Sequence, residues 1–162
     1  MTVEAASHML FNPASKITAF EYRGNLEMSR SRWPHAFFAS AAFYAMVGVC
    51  WGLAMGMTKN HATYSAHAHL NLLGWLSLAM MGTFYATLGQ GVSNKVKAAN
   101  FAISNLGVLL MIPGLFMYLG QAGPSAVFEP MIAAGSLLVV LGFFVFGVTA
   151  IRGLFHALAK TA

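Results

Sequence analysis

Four apolar runs of about bilayer length constrain this chain more than any other feature. They cover roughly residues 35–57, 66–88, 99–119 and 129–151, with short polar stretches between them. A helix needs ~20 apolar residues to cross a bilayer, and each run is near that length. Soluble chains carry ~25% charged residues; here the share is 8%, and hydrophobic residues reach 58%. Mean hydropathy is +0.66. The expected fold class is an all-α membrane protein, a bundle of four transmembrane helices. Short connections make it up-down-up-down.

At 162 residues the chain is long enough for one domain. The expected organisation is a tail over residues 1–34, a transmembrane domain over 35–152 and a short tail over 153–162. The first tail has breakers at Asn12-Pro13 and Arg23-Gly24 and lacks the apolar core of a signal peptide, so no cleavage is expected. Met28 offers an alternative start. In the four-span arrangement Lys16, Arg23, Arg30, Arg32, Lys95, Lys97, Arg152 and Lys160 fall on one side, and only Lys59 on the other. That asymmetry puts both termini in the cytoplasm of a multi-pass protein of a bacterial inner membrane. The loops holding His61 and Gln121–Phe128 then face outward. The net charge of +5 reflects only four acidic residues. The basic residues flank apolar runs and form no patch with aromatics, which argues against a nucleic-acid partner. Cys50 is alone and makes no internal disulfide.

The chemistry concentrates at Ser65–Trp75, which sets His67, His69 and Asn71 at the head of the second run. An ionisable side chain inside a membrane segment is costly and marks a functional position. At helical spacing His67 shares a face with Asn71, Gly74, Leu78, Gly82 and Tyr85, a small and polar face that should look into the bundle. His69 shares the opposite, bulky face with Leu72, Leu73, Leu76, Met80 and Phe84. Residues two apart on a regular helix point about 160° apart, so His67 and His69 chelate one ion only where the chain is still extended. His61 lies in the loop on the same outer side and is a third candidate metal ligand. Met55, Met57, Met117 and Met131 lie near that end too, and thioethers with imidazoles suit copper. In the first run Gly48, Gly52 and Gly56 recur every four residues and form a groove for a neighbouring helix. Pro113 should kink the third span. Glu129 is expected at the start of the fourth, where it faces the positive end of the helix dipole.

Ala66-His67-Ala68 followed by an apolar helix with Gly82 resembles the second helix of heme–copper oxidase subunit I, which carries a histidine ligand of the low-spin heme. His69-Leu70-Asn71-Leu72-Leu73 with Trp75 and Phe84-Tyr85 is similar to the same helix in nitric oxide reductases. The two registers differ by two residues and leave His67 and His69 both open. The resemblance implies a small heme b-binding protein of the cytochrome b type, for electron transfer or binding of a diatomic gas. It covers the first two spans and lacks the copper-binding segments, so a complete oxidase or reductase is not expected. On this reading His67 is the axial ligand, with His69 or His61 as further candidates. Asn71 orients the His67 ring, Gly74 clears space for the porphyrin, and Trp75, Tyr64 and Tyr85 pack near it. The glycine groove alternatively receives the heme edge. Expected partners are membrane lipid, a second copy of the chain and a quinone or cytochrome. The alternatives are a copper-binding membrane protein and a structural or assembly subunit of a respiratory complex.

Overall fold

The computed structural model describes residues 31–159. The tail expected over 1–34 lies outside the described residues as far as residue 30, and so do residues 160–162. Four of the basic residues used for the orientation (Lys16, Arg23, Arg30 and Lys160) are among those outside.

All regular structure among the described residues is helical. The elements are α1 (Trp33–Thr58), α2 (Tyr64–His69), a π-helical segment (Leu70–Leu76), α3 (Ser77–Thr87), α4 (Asn94–Leu119) and α5 (Ser125–Leu158). The α2, π and α3 elements follow one another without a break and form a single rod. Three helices, α1, α4 and α5, are long and apolar enough to cross a membrane. They identify a membrane protein.

Close approaches give the direction of each rod. A Cβ on Gly52, late in α1, would stand 3.1 Å from the His67 ring at the start of the second rod. Gly82, late in the second rod, faces Phe37 and the Pro34 carbonyl at the start of α1. These two rods are therefore antiparallel. Trp33 and Phe101, both near the start of their helices, stack at 5.8 Å, so α1 and α4 run the same way. Gly135 of α5 meets Met111, Gly107 meets Val139, and Gly142 meets Ser104, which sets α4 and α5 antiparallel. Small residues at these crossings let the backbones approach, as membrane helix packing requires.

The boundaries follow from local chemistry. Pro34 occupies the first turn of α1, where its missing N–H costs nothing. Ser93 caps α4 by accepting from the Val96 N–H. That cap starts α4 at Asn94, so Lys95 and Lys97 belong to the helix and not to the loop expected through Ala98. Gly123 takes a φ of +118° in the turn before α5, a conformation open to glycine. Two further boundaries differ from expectation. α5 begins at Ser125, so Glu129 sits a turn inside the helix and not at its start. It also runs on to Leu158, so most of the short tail expected over 153–162 is helix, because nothing between Arg152 and Leu158 breaks it.

The second rod is not the regular helix expected over 66–88. Across Leu70–Leu76 it widens to a π-helix. The Asn71 side-chain amide donates to the His67 carbonyl at 2.9 Å. The Leu72 carbonyl receives both the N–H and the hydroxyl of Ser77, the hydroxyl at 2.7 Å.

The buried core joins α1, the second rod and α4 through Phe37, Tyr44, Leu78, Met81, Tyr85 and Val108. A polar cluster sits within it. Asn100, fully buried, donates to the Tyr85 hydroxyl at 2.8 Å, and the Ser104 hydroxyl donates to Asn100 Oδ1 at 3.2 Å. In an apolar surrounding each unmet polar group would be costly, so this mutual satisfaction fixes α3 against α4.

Candidate functional site

The inward face expected of the second rod is observed, and the outward one in part. Gly74, Leu78, Gly82 and Tyr85 are buried, and His67 and Asn71 are half-buried beside them. His69, Leu72, Leu76 and Met80 are exposed on the other side, but Leu73 and Phe84, expected with them, are half-buried and pack against the core. The chain is already helical at Tyr64–His69, so His67 and His69 diverge.

His67 lies in the glycine groove of α1. Its Cε1 edge faces Gly52, and Asn71 fills the space above Gly48, where any Cβ would collide with the Asn71 amide. Gly56, expected to extend the groove, has nothing within 4 Å. Trp51 closes one side. Its ring meets His67 edge-on at 6.1 Å and Phe116 of α4 at 5.4 Å, and its Nε1–H donates to Thr63 Oγ1 at 3.1 Å. The Thr63 hydroxyl in turn lies 3.9 Å from the Met55 sulfur. Trp51 therefore links α1, α4 and the turn before α2 around the imidazole. Beyond Trp51 is an apolar recess of about 720 Å³ between α1 and α4, lined by Met46, Val47, Cys50, Ile112, Pro113 and Phe116.

The Asn71 amide nitrogen stands 3.4 Å from His67 Nδ1 and 3.3 Å from Nε2. These contacts are at the long end of hydrogen bonding. The shorter 2.9 Å bond to the His67 carbonyl fixes the amide. A ligand that takes a ring nitrogen's lone pair thus displaces only a weak contact.

The other expected residues are placed differently. Gly74 is packed by Tyr44, whose Cγ would stand 2.9 Å from an added Cβ. The Tyr44 hydroxyl donates to Asn105 Oδ1 at 3.2 Å. Trp75 and Tyr64 are exposed, and Tyr85 is in the polar cluster with Asn100. His69 donates from Nδ1 to the Ser65 carbonyl at 2.7 Å. That bond fixes the tautomer and leaves Nε2 as the acceptor. His61 is exposed, with Nδ1 3.3 Å from the Lys59 carbonyl. Among the described residues no group of three His, Cys, Asp or Glu side chains converges.

Trp51 and Thr63 are the members of this cluster that the sequence reading passed over. The signal was available: Trp51 adjoins Gly52, and a side chain next to a groove glycine flanks whatever enters the groove. No family model, no curated protein and no solved structure matches this chain.

Proposed function

We propose that the protein is a small heme b-binding membrane protein of the electron-transfer or gas-binding kind, with His67 as the axial ligand. The observation that carries this reading is an imidazole on the inward face of an apolar helical bundle, flanked by a residue without a side chain and by Trp51. Among the described residues the single acid is Glu129, in the first part of α5, so no described carboxylate pairs with the imidazole. The donor set suits the group. Heme iron takes one or two axial side chains, and imidazole is the commonest neutral one. A copper site wants several converging donors, which the divergence of His67 and His69 does not favour. When bound, heme would supply one-electron chemistry or a binding position for a diatomic gas. The chain's own part is to hold the His67 turn through Asn71, to keep the surroundings apolar and to exclude water with Trp51 and Phe116.

The four rods then span the membrane, with the second rod crossing as well and both termini in the cytoplasm. The described cations support this: Lys95, Lys97 and Arg152 lie at one end and Lys59 at the other.

One observation favours a second reading. His69 has its Nδ1–H anchored on a backbone carbonyl and its Nε2 turned outward, the arrangement that orients metal-bound histidines. On that reading heme is held between copies of the chain. The test of heme binding itself is the visible spectrum of the purified protein, oxidised and then reduced with dithionite. A Soret band with sharp reduced α and β bands supports a six-coordinate heme b. Broad reduced bands that shift with carbon monoxide support an open position. Absence of a Soret band after heme reconstitution overturns the proposal.

A further inference from the structure

At the end of the bundle away from His67, α3 stops at Thr87, the chain crosses to α4, and α5 continues to Leu158. A cleft of about 810 Å³ lies between them. Most of its wall is apolar, with Phe84, Leu88, Val92, Val145 and Val148. Its free polar groups gather toward the C-terminal end of the α5 wall, where Arg152 and His156 stand one turn apart on one face. Thr149, also in the wall, already donates to the Val145 carbonyl at 2.7 Å. Among the described residues the single acid, Glu129, is near the other end of α5, so no described carboxylate neutralises Arg152. Lys95, exposed in the first turn of α4 at this same end, adds to the positive field.

We propose that this cleft binds an anionic phospholipid. One acyl chain lies along Phe84, Val92 and Val145, and the phosphate diester meets Arg152 and His156. The charge pattern selects the occupant. A guanidinium at the mouth of an apolar slot pairs with a phosphate oxygen that carries a chain behind it. A zwitterionic lipid brings its own cation to a region that is already positive, and gains less. The proposal is independent of heme, since it uses no residue near His67.

The test is thermal unfolding of the full chain in neutral detergent. Phosphatidylglycerol, phosphatidylcholine of the same acyl chains, or inorganic phosphate is added in turn. The wild type should be stabilised most by phosphatidylglycerol, and half-saturation should need about fivefold more of it in Arg152→Gln, the effect of one charge at a lipid surface. Arg152→Lys should keep most of the preference, which separates charge from a failure to fold. Val148→Trp, which fills the slot, should weaken the response to both lipids. Equal stabilisation by the two lipids in the wild type overturns the proposal. So does an undiminished preference in Arg152→Gln, and so does a response to inorganic phosphate alone that matches the lipid's.

Discussion

The Cε1 edge of His67 faces Gly52 across the first helix crossing, at a separation where an added methyl would stand 3.1 Å away. One turn earlier on α1, Gly48 is covered by Asn71, so the two glycines seat a histidine and its neighbour one turn on.

This seating predicts a graded alanine series. Gly48→Ala collides with the Asn71 amide and should cost about 1–3 kcal/mol, as overpacking does. Gly52→Ala should cost less, because the ring must yield only a few tenths of an ångström. Gly56→Ala meets open space and should stay within about 0.5 kcal/mol. Thermal unfolding in detergent reads the series. Equal effects at the three positions would show that the groove is not what seats His67.

The polar cluster at Asn100 makes a second prediction. Asn100→Leu leaves the Tyr85 and Ser104 hydroxyls without their shared partner and should cost about 1–3 kcal/mol. Tyr85→Phe should cost measurably less in the Asn100→Leu background than in the wild type. The coupling should be about 0.6 kcal/mol and at most about 1.7, the range found between membrane helices. Strict additivity in the double-variant cycle would contradict the bond.

Topology has its own test. In a Cys50→Ser background, single cysteines replace Lys59, Ser93 or Gln121. A membrane-impermeant maleimide applied to intact cells should label positions 59 and 121 and spare 93. If 59 and 93 behave alike, the second rod does not cross.

Much of the fold was legible because hydropathy acts over whole helices. The inward face from His67 through Leu78 to Tyr85 was readable from a period near 3.6, and it held despite the π-helical segment. That segment was not readable, because the periodicity of apolar residues does not encode a switch of the backbone from i+4 to i+5 pairing. The reach of α5 to Leu158 was missed for a related reason: Arg152 marks where a span's apolar length ends, not where its hydrogen bonds end. At the candidate site His67 and Asn71 were legible from their shared face. Trp51 was legible only as a neighbour of Gly52, because its full role depends on the crossing that brings Phe116 and Thr63 to it. Gly74 was correctly read onto the inward face, but its space is taken by Tyr44, and Trp75, assigned from the resemblance, is exposed.

The central claim is that His67 holds the heme, and the heme-to-protein ratio of His67→Ala and His69→Ala, purified beside the wild type, tests it most directly. Helical content from far-UV circular dichroism confirms that each variant is folded. The account predicts that His67→Ala loses the Soret band while His69→Ala retains it, with at most a shifted spectrum. Full heme content and an unchanged spectrum in folded His67→Ala would contradict it, and loss confined to His69→Ala would move the ligand to the outer face.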